Sequence, residues 1–175
     1  MKDMIRYAVI LALIAAFSGG SIAATVGITT PITKAREAKE LQLSLTTLLP
    51  EAESFTTSEL DGETYYIGEK DDKPVGYVIN GSANGYGGAI EILVAFDGVG
   101  TVKEIKILRN NETPGIGSVA IKSADFAAQF VGKAKKEPFE IGKDITAISG
   151  ASISSRGITG AVKAAVTFLN KNVLP

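Results

Sequence analysis

Ala89-Ile90-Glu91-Ile92-Leu93-Val94-Ala95-Phe96, Asp97-Gly98-Val99-Gly100 and Val102-Lys103-Glu104-Ile105-Lys106-Ile107-Leu108 read in succession as a strand, a tight turn and a second strand. The first run is rich in branched and aromatic residues. The last mixes branched apolar residues with charged ones and carries the same strand signal. Asp-Gly-Val-Gly supplies residues that favour tight turns, so the two strands run antiparallel. Upstream, residues 64–67 and 75–79 carry the same strand signal on either side of Asp71-Asp72-Lys73-Pro74, and Asn84-Gly85-Tyr86-Gly87-Gly88 leads into Ala89. The polar stretch 51–62 reads as a loop or a short extended piece.

Two helical patterns follow the strands. Residues 118–132 place Ala120, Ile121, Ala124, Phe126, Phe130 and Val131 at helical spacing, and residues 154–170 do the same with Ile158, Val162, Ala165, Val166 and Leu169. Strands first and helices afterwards around one sheet indicate an α+β domain, mainly antiparallel, with helices packed on it.

The composition narrows the chemistry. The 175 residues are 45% hydrophobic and 21% charged with a net charge of −1, which suits a folded chain and offers no broad basic surface for nucleic acid. Cysteine and histidine are both absent. Disulfides, Cys-ligated iron–sulfur clusters, His-ligated haem and triads that need either residue are therefore excluded. A redox group here must be organic or held by oxygen ligands alone, and no metal site is expected.

No residue from 7 to 33 is charged, and 7–17 is continuously apolar. That length suits a transmembrane anchor over 1–33. Lys2 and Arg6 before a short apolar core, with Ser21-Ile22-Ala23 after it, also fit a cleaved signal peptide, although the uncharged stretch continues past that point far enough to span. Both readings export the remainder. Residues 34–50 form a connecting helix, with Ala35, Ala38, Leu41, Leu45 and Leu48 or Leu49 on one side up to Pro50, and residues 51–175 form the domain.

Ser149-Gly150-Ala151-Ser152-Ile153-Ser154-Ser155 stands where the last helix begins. The first N–H groups of a helix lack intrahelical partners and its dipole is positive there, so a phosphoryl group is stabilised and nearby hydroxyls add hydrogen bonds or an ester. Ser is equally a favoured N-cap that needs no ligand. Thr113-Pro114-Gly115-Ile116-Gly117 likewise reads either as a rigid turn or as a wall that lets backbone approach a flat ligand. Tyr86-Gly87-Gly88 reads as an aromatic packed on the sheet or set beside such a ligand.

Taken in order, Gly85-Tyr86-Gly87-Gly88-Ala-Ile-Glu-Ile, Glu112-Thr113-Pro114-Gly115-Ile116-Gly117 and Ser149-Gly150-Ala151-Ser152 resemble the FMN-binding domain family over nearly the whole chain. Within it the chain is similar to the G subunits of Rnf electron-transport complexes and the related C subunits of sodium-pumping NADH:quinone oxidoreductases. The resemblance implies FMN attached through its phosphate to the last hydroxyl of the third motif, here Ser152, by a separate flavin transferase acting after export. It assigns Ser149, Gly150, Ala151, Ser154 and Ser155 to the phosphate end, and residues 113–117 with Tyr86, Gly87 and Gly88 to the ring or ribityl chain. Two departures stand out. The family more often has threonine at the acceptor position, and it commonly has an acid three positions before the motif, where this chain has Thr146, with Asp144 two residues earlier. Either a shifted loop brings Asp144 into that role or the acid is dispensable. Arg109 and Glu112 read as solvated loop charges or an ion pair, since a flavin electron carrier needs no protein acid or base.

The resemblance thus implies a single-pass subunit in the cytoplasmic membrane with its FMN domain on the periplasmic or extracytoplasmic side, relaying electrons among the other subunits of an Rnf-type complex. The alternatives are a stand-alone exported flavoprotein serving another reductase, and an anchored binding module without a cofactor.

Overall fold

The computed structural model describes residues 2–115 and 117–174. The chain runs as helix α1 (Lys2–Leu48), strands β1 (Ser54–Leu60), β2 (Glu63–Lys70), β3 (Lys73–Asn84), β4 (Ala89–Asp97) and β5 (Val102–Arg109), then helices α2 (Ser118–Lys122), α3 (Ala124–Ala128) and α4 (Ser152–Phe168). A π-helical turn, Leu169–Val173, closes it.

The strands form one antiparallel meander in the order β1-β2-β3-β4-β5, as the alternating sequence dictates. Two-residue loops join the first three strands. Asp61-Gly62 and Asp71-Asp72 have positive φ throughout, the type I′ geometry whose twist matches that of the flanking strands. Of the two readings of 51–62, the extended one holds: the segment contains the edge strand β1, with Leu60 opposite Glu63. Its residues are mostly exposed and lack the β-branched apolar residues that mark β4 and β5, although Asp61-Gly62 is itself a hairpin signal.

Both faces of the sheet are covered. On β4, Ile90, Ile92, Val94 and Phe96 join the cluster that includes Ile158, Ala161, Val162 and Ala165 of α4. Leu93 and Ala95 are buried on the opposite face, as is Val78, which pairs with Ala95. Leu45, Leu48 and Leu49, at the end of α1, are also buried, and Leu49 lies 3.1 Å from where a Cβ on Gly76 would sit. The α4 backbone comes equally close to β3, since a Cβ on Gly81 would fall 2.2 Å from the Ala161 carbonyl.

The expected helix over 118–132 is two short helices. Ser123 is extended (φ −79°, ψ 109°) and its hydroxyl accepts from the Phe126 N–H at 3.1 Å, ending α2 and capping α3. A serine that bonds its own downstream backbone competes with helix continuation, and here that local bond prevails over the apolar spacing. Phe126 and Phe130 still reach the core, edge to face at 5.5 Å.

The contacts divide the chain into two compact units, 1–43 and 44–175. In the first, α1 is long and apolar enough to cross a membrane. Its hydroxyls suit such a role: Ser21, Thr25, Thr30 and Thr33 each donate to the carbonyl four residues earlier at 2.7–2.9 Å, so none of these four presents an unmet donor to hydrocarbon.

Candidate functional site

Helix α4 begins at Ser152, with Ala151 at its N-cap position. An alanine has no side-chain acceptor, so the capping role open to serine on sequence grounds goes unused at this helix. Gly150 enters the cap at φ +79°, a left-handed conformation with open space around its Cβ position. Ser149, Gly150 and Ser152 are exposed.

A cavity of about 360 Å³ opens over this helix start, lined by Tyr86, Gly150, Ala151, Ser152, Ile153 and Ser154. The Tyr86 ring, 63% exposed, faces it from the turn between β3 and β4. A phosphate-sized anion there meets first-turn N–H groups and the positive end of α4, with an aromatic surface alongside.

Ser154 and Ser155 are buried and their hydroxyls are already engaged. Ser155 Oγ accepts from the Ile148 N–H at 3.1 Å and donates to the Ala151 carbonyl at 2.9 Å, pinning the loop to the helix. Ser154 Oγ donates to Glu112 Oε2 at 2.7 Å.

Glu112 corrects the reading of a solvated loop charge. It is only 7% exposed, and its second carboxylate oxygen, Oε1, accepts from the Gly87 N–H at 3.1 Å. Gly117 sits against the same carboxylate, where a Cβ would fall 1.8 Å from Oε2. Nothing in the local sequence signals this, because the two partners lie 25 and 42 residues away along the chain. Arg109 is exposed at the end of β5.

Residues 113–115 form an exposed turn rather than part of the cavity lining, closed by the Ser118 N–H to the Thr113 carbonyl (3.3 Å) and the Gly115 N–H to Ser118 Oγ (2.9 Å). Pro114 sits at its corner and Gly115 takes φ +83°. Ile116 lies outside the described residues. Gly88, at φ +136°, ends the Tyr86 turn, which the Gly85 N–H closes on the Gly88 carbonyl.

Asp144 is committed elsewhere. It accepts from the Glu140 N–H at 2.8 Å and pairs with Lys133 at 3.1 Å. Burial alone would push its carboxyl up, but the Glu140 N–H, the Lys133 ammonium and the Phe139 N–H together hold it below the ordinary carboxylate value. Gln129 brackets Thr146, accepting from its N–H at 2.7 Å and donating to its carbonyl at 3.2 Å. These bonds fix the approach to residue 149.

Residues 85–167 match the FMN-binding domain family. The chain is 36% identical to the G subunit of the proton-translocating ferredoxin:NAD(+) oxidoreductase complex of Clostridium ljungdahlii, over 85% of this chain and 82% of that one. It is 33% identical to the G subunit of the ion-translocating oxidoreductase complex of Escherichia coli K12, over 94% and 90%. Its fold is similar to that of the C subunit of the Na(+)-translocating NADH-quinone reductase of Parabacteroides distasonis, with a TM-score of 0.50 and 20% identity over 62% of this chain and 61% of that one. The chain therefore belongs to the family of G subunits of ion-translocating oxidoreductase complexes and carries that family's FMN-binding domain.

Proposed function

We propose that this protein is a membrane-anchored flavoprotein, with FMN in phosphoester linkage to Ser152, that relays electrons between subunits of an Rnf-type ion-translocating ferredoxin:NAD oxidoreductase. The observation that carries the attachment is the start of α4, where an exposed Ser152 hydroxyl stands at an uncapped helix end on the floor of the Tyr86 cavity. Ser154 and Ser155, the neighbouring hydroxyls, are turned inward and bonded. Ser149 is exposed but precedes the helix and lies outside the cavity lining.

The residues present fit an FMN phosphate. The first-turn N–H groups would hold its oxygens, Gly150 leaves the approach open, and Tyr86 offers a face to the ring. FMN supplies the redox step, and the protein supplies position and electrostatics. Attachment forms an Oγ–P bond on Ser152 as the hydroxyl proton and the leaving group of an activated FMN donor depart, so the chain gains FMN less one water. A flavin transferase is the partner for that step. The uncharged span of α1 supports anchoring, and Lys2 and Arg6 before it support an inside N-terminus with the domain on the extracytoplasmic side. A covalent link suits a carrier placed where lost FMN is not replaced.

Intact mass of the full chain and of Ser152→Ala, each co-expressed with a flavin transferase in an exporting host, tests this. A gain in the parent that disappears in the variant is the expected result. A gain in both moves the acceptor to another hydroxyl, and a gain in neither removes the covalent assignment.

A further inference from the structure

We propose that Glu112 is the positioning residue that ties the two walls of the flavin site, the Tyr86 turn and the start of α4, to each other, an inference that rests on the reading of Ser152 and its cavity given above. Two stretches far apart in sequence converge on this one carboxylate. Gly87 N–H from the β3–β4 turn donates to Oε1, and Ser154 Oγ from the first turn of α4 donates to Oε2. Glu112 itself leads into the exposed turn that begins at Thr113, its own N–H donating to Asn110 Oδ1 at 3.2 Å.

The bonded residues are neighbours of the site. Gly87 follows Tyr86, and Ser154 is two residues past Ser152 in the same helical turn. Moving the carboxylate therefore moves both the aromatic wall and the acceptor hydroxyl. Burying a carboxylate is costly unless its oxygens are hydrogen-bonded, and both are. The adjacent N-terminal end of α4 adds favourable potential.

The glycines of the first two motifs acquire a physical reason. A Cβ on Gly85 would fall 2.1 Å from Oε1, and one on Gly117 1.8 Å from Oε2. Both lie inside contact distance. Gly85 and Gly117 make room for Glu112, whereas Gly115 serves the turn through its positive φ.

Three variants separate position from charge. Glu112→Ala removes both acceptors. Glu112→Gln keeps the length: its Oε1 accepts from Gly87 and its Nε2 donates to Ser154 Oγ, which as a hydroxyl also accepts. Ser154→Ala breaks one bond with little change of volume. The readouts are amide hydrogen exchange at Gly87 and residues 150–154 in the flavin-free chain, and the rate of FMN transfer to each folded variant relative to the parent. Exchange at both segments is expected to accelerate together in Glu112→Ala. FMN transfer is expected to slow about tenfold in Ser154→Ala, the equivalent of one net hydrogen bond, and further in Glu112→Ala, with Glu112→Gln restoring most of the rate. Should Glu112→Ala fail to fold, Ser154→Ala decides.

Parent-like transfer rates in folded Ser154→Ala overturn the proposal and leave Glu112 as interior filling. Glu112→Gln as slow as Glu112→Ala overturns it too, because charge rather than position would then govern. Whether the parent gains mass at all reads only the covalent assignment. In a parent that gains none, the same order is expected in FMN dissociation constants measured by flavin fluorescence, and equal constants overturn the proposal.

Discussion

At the scale of residues, the hydroxyls around the start of α4 sort by what they already bond. Ser155 holds the loop to the helix through two hydrogen bonds, so Ser155→Ala strands the Ile148 N–H. A loss of about 1–2 kcal/mol is expected from the urea midpoint. Gly117→Ala drives a methyl into the Glu112 carboxylate, and a cost of about 2–3 kcal/mol with reduced flavin loading is expected. Asp144 brings a pH dependence. Its carboxyl is held below its ordinary value in the folded chain, so the stability it contributes is complete above the ordinary carboxylate range and is lost as pH falls through that range and below. The urea midpoints of the parent and Asp144→Asn should therefore differ near neutrality and converge in acid; a gap that widens on acidification would contradict the Lys133 pairing.

At the scale of elements, most of the sheet was legible because β2 to β5 carry β-branched or aromatic residues between turn residues, and tertiary packing had nothing to override. β1 was legible only as one of two readings because of its polar edge position, and the break at Ser123 was hidden by an apolar spacing that continued across it. The start of α4 was legible, since a hydroxyl-rich segment before a helical pattern marks a helix start. Glu112 was not, because its burial is made by residues on other elements. The contact of α4 with β3 is also tertiary. Gly81→Ala sets a methyl against the Ala161 carbonyl, and a loss of about 2–3 kcal/mol is expected in denaturant melts. An unchanged midpoint would contradict that close approach.

At the scale of the whole molecule, the division into two compact units falls within the residues of α1, between Leu43 and Ser44. Leu45 and Leu48, in the last turn of the helix that begins in the apolar segment, and Leu49 just past it belong to the domain's core. A chain starting at Ser44 keeps all three and is expected to fold, to leave the membrane fraction and to bind FMN. A chain starting at Glu51 loses three buried leucines, roughly 5–9 kcal/mol of burial. That is comparable with the entire stability of a domain, and circular dichroism should find this shorter chain unfolded. Equal stability of the two truncations would contradict the assignment of residues 44–49 to the domain core.

The spacing of basic residues provides a direct test of FMN attachment to Ser152. Cleavage after Lys143 and Arg156 releases residues 144–156 as one peptide containing Ser149, Ser152, Ser154 and Ser155. Tandem mass spectrometry of this peptide from the transferase-treated protein is expected to place the FMN mass on Ser152, with the fragment that ends at Ala151 unmodified. FMN on any other serine of the peptide, or a peptide that carries none, would contradict the account.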